Sequence, residues 1–229
     1  MSFRLGHPLA YPLLVTIGAL AVCLAWAPFG DSEQVAMLAA VAVVIVGYSG
    51  FRFAVGAGVL PAGLSDARTG THTTEGGRAV AVRRVRQQHR LVSRSWLEFT
   101  LGGKKRWLPV YFEPALATLD QGTAELSGRT VRIDGLRVYP AGRVRDSEPV
   151  GRLIDNPARP GVQAVTAAAR AAGIGRRLLL DAQSAIAGPF AGLLWVYVAG
   201  GGLPAFAGAT VVAGVTATWL AAVRGSDPS

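Results

Sequence analysis

The chain has 229 residues, of which 51% are hydrophobic and only 16% charged, with a formal net charge of +9. So few charges among so many apolar residues is the composition of a membrane protein rather than of an ordinary soluble domain. A single cysteine, Cys23, excludes an intramolecular disulfide and any cysteine-cluster metal site.

Crossing a hydrocarbon core of roughly 30 Å takes about 20 apolar helical residues. The first uncharged stretch lies between His7 and Asp31 and predicts a span over about residues 9–28, with Pro12 tolerable in the first helical turn. Its Ala25-Trp26-Ala27 resembles a signal-peptidase site, but Pro28 follows the cut and blocks cleavage. Leu20-Ala21-Val22-Cys23 departs from a lipoprotein box because Val22 stands where a small residue should precede the cysteine. A second span is expected over about residues 35–56, with Arg52 snorkelling to the interface. Together these form a transmembrane hairpin over residues 8–60, followed by a Gly-, Pro-, Ser- and Thr-rich linker over 61–77.

Residues 78–160 carry strand patterning. Ser95 to Leu101 and Arg106 to Phe112 are aromatic and β-branched runs separated by Gly102-Gly103-Lys104-Lys105, a hairpin signal, with Pro109 placing the second strand at an edge or bulge. Shorter strands are expected around Thr123–Leu126, Thr130–Ile133 and Gly135–Tyr139, with Asp134-Gly135 as a tight turn. The spacing predicts a small all-β, barrel-like domain, closed or partly open. Arg78 to Arg94 is the densest positive segment and fits either a strand or a short helix.

A basic connecting helix is expected over 161–181, with Gly173 and Gly175 letting it bend before the membrane. From Ala182 to Val223 the chain then runs 42 residues without a charge, interrupted by Gly200-Gly201-Gly202-Leu203-Pro204. This predicts a second hairpin over 182–224, with spans at about 182–199 and 205–223. The fold class is therefore an α-helical membrane protein of four transmembrane helices in two hairpins, with a small β domain inserted between them.

Orientation follows from basic residues, which accumulate on the cytoplasmic side. Residues 52–181 hold 21 Lys and Arg against 11 Asp and Glu, while Arg4 and Arg224 flank the first and last spans. The two short connections on the other side contain Asp31 and Glu33 and no Lys or Arg. Both termini and the β domain are thus expected in the cytoplasm, and the protein in the bacterial inner (cell) membrane.

Motifs for chemistry are sparse. His7, His72 and His89 lack a second ligand at metal spacing, and no nucleophile elbow, Walker loop or H-E-x-x-H occurs. No enzyme activity, metal or cofactor is expected. The spans hold no ionisable group between their ends, which disfavours transport by this chain alone. Asp181, at the start of the third span, reads as a helix N-terminal charge. What stands out is small residues: Ala205, Ala209, Ala213, Ala217 and Ala221 recur every four positions, and Gly188 and Gly192 form a G-x-x-x-G. Such spacing is expected to form a helix-packing seam, within the chain or with another protein. Arg83, Arg84, Arg86, Arg90, Lys104, Lys105, Arg106, Arg176 and Arg177 are candidate contacts to anionic lipid headgroups or to a partner. Trp96, Trp107, Tyr111 and Phe112 read as core rather than as stacking residues, so nucleic acid is not an expected partner.

The layout is a hairpin, a basic all-β domain entered through Trp96-Leu97-Glu98-Phe99 and Leu108-Pro109-Val110-Tyr111-Phe112, then a second hairpin. It resembles a class of small membrane proteins of mycobacteria and related actinobacteria, the LucB-type accessory subunits of Mce lipid importers. The likeness covers most of the chain in span order, length and composition, and carries no ligand motif. It implies a non-catalytic subunit that packs on permease helices and stabilises or regulates an importer of lipids or fatty acids. The NfeD-type membrane proteins are similar in plan but lack the return to the membrane after the barrel. The rival expectation is a stand-alone sensor of anionic lipids or a small transporter.

Overall fold

A computed structural model of the chain describes residues 7–64, 78–127 and 129–229. It separates into two compact units, Met1–Gly50 with Leu178–Val223, and Phe51–Arg177 with Arg224–Ser229. The expected linker lies largely outside the described residues, as does His72. Residues 61–64 are described, and Ala62 and Leu64 are buried in the β core rather than exposed in a tether.

The first unit is helical. It contains α1 (Ala10–Trp26), most of α2 (Ser32–Ala57), the end of α5 (Ile174–Asp181), α6 (Ala187–Ala199) and α7 (Gly202–Val223). Four stretches are long and apolar enough to cross a bilayer: Ala10–Phe29, Ser32–Ala57, Ile174–Ala199 and Gly202–Val223. The shortest has 20 residues, about 30 Å at 1.5 Å per residue. This is a multi-pass membrane protein with a separate antiparallel sheet domain.

Each span begins or ends for a local reason. Asp31 caps α2, its carboxylate accepting the Gln34 N–H at 2.8 Å, and Glu33 sits in the first turn where the helix dipole favours it. Gly200, Gly201 and Gly202 all have positive φ, so the chain reverses between α6 and α7 through conformations that side chains resist. The third span begins earlier than residue 182: α5 runs to Asp181, a 3-10 turn covers Ala182–Ile186, and α6 follows. Arg176, Arg177 and Asp181 therefore belong to the opening turns of that apolar stretch.

Polar side chains within the unit bond across helices. The Trp219 indole N–H donates to Ser49 Oγ at 2.9 Å, and Ser49 Oγ lies 3.3 Å from Thr16 Oγ1, linking α7, α2 and α1. Tyr11 donates its hydroxyl to Asp181 at 2.6 Å, joining α1 to α5. In hydrocarbon an unpartnered hydroxyl or indole costs more than in water, so such pairs hold helices in register.

The second unit is a seven-stranded antiparallel sheet: β1 (Arg78–His89), β2 (Val92–Leu101), β3 (Lys104–Val110), β4 (Gln121–Ser127), β5 (Thr130–Ile133), β6 (Leu136–Val138) and β7 (Arg152–Asp155). The order is β3-β2-β1-β4-β5-β6, with β7 also pairing with β1. The positive segment expected as strand or helix is strand throughout β1. Gly102 and Gly103, and Asp134 and Gly135, all have positive φ, the geometry that closes two-residue hairpins without splaying the strands. Pro109, on β3 at the end of the order, leaves the ladder intact because an edge strand needs fewer N–H donors.

The sheet is not a closed barrel. The segment after β6 meets β3 only through isolated bridges, Val110 with Pro140 and Trp107 with Arg145, rather than through a ladder. The reason is length: β6 has three residues and ends before Pro140, which has no N–H to continue pairing. One face carries the main core, including Val82, Leu97, Phe99, Leu108, Val110 and Val131, and the last turn of α2 adds Val55. Alternation sends Val85, Trp96 and Trp107 to a second small cluster, closed by Leu153 of β7. A short helix α3 (Pro114–Ala117) and α4 (Ala164–Ala171) pack together beside the sheet.

Candidate functional site

Two sets of residues were expected to carry function, and each falls within one unit. In the helical unit, Gly188 and Gly192 mark the closest approach of α6 to α7. A Cβ on Gly188 would lie 2.6 Å from the Thr210 carbonyl oxygen and 3.3 Å from Gly214 Cα. One on Gly192 would lie 2.9 Å from the Phe206 carbonyl oxygen and run into the Thr210 hydroxyl. The α7 side of this seam is therefore Phe206, Thr210 and Gly214, one position on from the alanine register. Ala205, Ala209, Ala213 and Ala217 are half-buried, and only Ala221 of that series is buried. The glycine seam serves the chain's own helices, and the alanine stripe flanks it.

In the β unit the basic candidates separate by environment. Arg90, Lys104 and Arg176 are exposed and Arg86 is half-buried. Arg83 on β1 faces Glu98 across the β1–β2 ladder, with Nη2 2.7 Å from its carboxylate, and reaches Asp155 of β7 at 3.1 Å. Lys105 completes the cluster at 2.8 Å from Glu98. Arg106 pairs with Asp146. Burial raises the Glu98 carboxyl, but hydrogen bonds from Lys105 and Arg83 outweigh it and hold the group below the usual carboxylate range. Much of this cationic strip is thus internally compensated.

Two candidates are not surface groups at all. Arg177 is buried with its guanidinium 5.8 Å from the Phe112 ring centroid, a cation–π distance. Nearby Glu113 has its carboxyl pushed up by burial, which the Arg177 charge only partly offsets. Arg84 is 1% exposed and cannot meet a headgroup. Arg84 continues the inward phase of Val80 and Val82 on β1, opposite Leu97, and the alternation breaks only at Val85, which the second cluster buries on the other side.

Arg84 instead organises a polar centre whose partners no sequence pattern indicated. Its Nη2 lies 2.5 Å from Asp227 Oδ2 and 3.0 Å from Ser229 Oγ, Nη1 donates to Asn156 Oδ1 at 2.7 Å, and Nε to Ser95 Oγ at 3.2 Å. Ser95 donates to the same Asp227 oxygen at 2.6 Å, and the Ser229 N–H and hydroxyl fill Oδ1. Asn156 turns its amide on the Leu116, Ala117 and Leu119 carbonyls, tying the end of α3 into the network. Burial raises the Asp227 carboxyl, yet the Arg84 charge and the serine hydrogen bonds more than reverse this and hold it low. The segment Arg224–Ser229 is seated by backbone as well, with the Asp227 N–H on the Ser93 carbonyl at 2.9 Å and a bridge from Ser226 to Arg94. Gly225 permits this path: its φ is +81°, and a Cβ there would lie 2.7 Å from Ala141 Cβ.

Among the described residues no three His, Cys, Asp or Glu gather to hold a metal. The chain matches no family model, no curated protein and no solved structure. Trp96, Trp107, Tyr111 and Phe112 are all buried, with Trp96 donating its N–H to Gln87 at 2.8 Å and covered by Arg145 at 5.4 Å.

Gly192→Val forces α6 from α7 and is expected to cost about 1–3 kcal/mol, read as a lower thermal midpoint in detergent. Ala209→Val, on the half-buried flank, should cost less, and equal midpoints would contradict the seam. Asp227→Asn leaves the buried Arg84 charge without its counter-ion and should destabilise the β unit by about 3–5 kcal/mol, whereas Arg84→Met with Asp227→Leu should cost less. The carboxyls of Asp227 and Glu98 are held low, so their stabilisation is present above the ordinary carboxylate range near pH 4 and lost as pH falls through their folded values. Glu113 has the opposite sign and offsets part of this loss. Pulse proteolysis of the β unit with an acid-active protease should show that loss, and Asp227→Asn should flatten it.

Proposed function

We propose that the chain is a non-catalytic accessory or scaffolding subunit of a membrane assembly, an ABC-type importer of lipids or fatty acids of the Mce kind. In this reading it packs on the permease helices in the bacterial cell membrane, with both termini and the β unit in the cytoplasm. The observation that carries the reading is how the spans use their polar and small residues. Ser49, Thr16 and Trp219 bond to one another, and Gly188 and Gly192 admit the chain's own α7. These residues build a packed support rather than line a conduit. The outward side chains of α6, Phe190, Leu193, Leu194 and Tyr197, are large, apolar and exposed, as a lipid- or helix-facing surface requires. The basic surplus of the β unit fits the cytoplasmic face, where juxtamembrane cations are favoured by anionic lipid.

Mild-detergent purification of the chromosomally tagged chain, with mass spectrometry, tests this directly. Stoichiometric recovery of a permease and its ATPase is the expected result, and leucine at Ala209, Ala213 and Ala217 should loosen that complex while leaving the β unit folded. Recovery of this chain alone across several detergents would overturn the reading.

A further inference from the structure

The β unit ends in a surface that none of its ion pairs or core clusters uses. Between Asp155 and Asp181 the chain has no acidic residue, and Arg159, Arg170 and Arg176 in this interval are exposed, whereas Arg177 is buried. Helix α4 lies in this interval and is held on one side, where Ala168 and Ala171 are buried and the helix packs on α3. Its other side is exposed. Val165 is 71% exposed and Val162, in the preceding turn, fully so. At 100° per residue Val162, Val165 and Ala169 fall on one stripe, with Thr166 and Arg170 beside it. Ile174 is 37% exposed, and Arg176 in the same first turn of α5 is exposed as well.

An exposed apolar stripe flanked by arginine, with no acidic residue in its stretch of chain, is the pattern of a helix that lies in the headgroup region, burying its apolar side at the acyl boundary and meeting phosphates with arginine. The position of the stripe identifies what covers it. The third apolar span starts at Ile174. From Val165 the path to Ile174 is six helical steps of 1.5 Å and three linking steps of at most about 3.5 Å, about 20 Å in all, so α4 is confined to the neighbourhood of the bilayer surface. Arg176, two residues from Ile174 and about 3 Å along α5, lies within the screening length of about 8 Å at physiological salt and so feels an anionic leaflet.

We propose that Val162, Val165 and Ile174, with Arg170 and Arg176, form a bilayer-docking surface selective for anionic headgroups. It does not depend on the accessory-subunit reading, since it concerns this chain and lipid alone. The arginines draw the segment to the leaflet, and the two valines anchor it there. The same arrangement gives the β unit a lipid-dependent position without a dedicated lipid pocket.

The test uses the full chain, with Cys23 replaced by Ser, in nanodiscs of phosphatidylcholine alone or mixed with phosphatidylglycerol. Spin labels are placed singly at Val162→Cys, Val165→Cys and Val150→Cys. Val150 is 73% exposed in the same unit but outside this segment, and serves as the aqueous reference. In anionic nanodiscs, labels at 162 and 165 should be more accessible to oxygen than to a polar nickel complex, with the reverse at 150. Arg170→Glu with Arg176→Glu, or high salt, should return them toward the values at 150. Nickel accessibility at 162 and 165 equal to that at 150 in both lipids would overturn the proposal. So would shielding from both reagents, which marks a protein cover, and immersion identical in neutral and anionic nanodiscs would remove the headgroup selectivity.

Discussion

Arg84 and Asp227 are drawn from opposite ends of the second unit, and their contact is what makes that unit whole. A guanidinium 1% exposed is tolerable only because every donor that turns inward finds an acceptor. The strands supply Ser95, the loop after β7 supplies Asn156, and the segment after α7 supplies Asp227 and Ser229. The last contribution reaches the sheet only after the whole second hairpin has been made. Until it does, β1 buries a positive charge without its counter-ion. The β unit is therefore coupled by covalent order to the completion of the spans, although its core is built from residues of the middle of the chain.

The bilayer imposes the complementary constraint on the first unit. Apolar side chains gain nothing by leaving lipid for another helix, so packing has to come from close backbone approach and from hydrogen bonds. Both devices are present and they are spatially divided. Glycines 188 and 192 bring α6 onto α7, while Thr16, Ser49 and Trp219 tie α7 to α1 and α2. α7 is the shared element, which explains why its small residues occupy more than one face.

These two economies narrow the functional reading. Some charges in the β unit are spent on one another, as in the Arg83, Glu98, Asp155 and Lys105 cluster, or sealed inside, as at Arg84. The exposed remainder is spread over the unit, from Arg90 and Lys104 at the hairpins to Arg176 in the segment that leads into the third span. The buried polar groups at Arg84 and Ser49 are engaged in holding the fold, which is the use of polarity that the proposed supporting role builds on.

The spans were legible because hydrocarbon forbids unsatisfied backbone, so length and the absence of charge suffice to mark a helix. The hairpins were legible too: Gly102-Gly103 and Asp134-Gly135 are residue types that accept positive φ, and the strands on either side alternate. The G-x-x-x-G marked a close approach, but not which face of α7 would meet it, since Ala205 to Ala221 and Phe206 to Gly214 repeat at the same interval. Alternation with Val80 and Val82 puts Arg84 on the inward phase, but only once Arg78 to Arg94 is known to be strand rather than helix. What partners it there depends on where the loop after β7 and the segment after α7 reach β1, and those contacts join residues more than 70 positions apart. Barrel closure was undecidable for a similar reason: strand spacing predicts a curved sheet, but Pro140 and a three-residue β6 decide that its edges meet only by isolated bridges. Local physics written in consecutive residues determined the elements, and long-range pairing, which no window of sequence contains, determined the centre of the β unit.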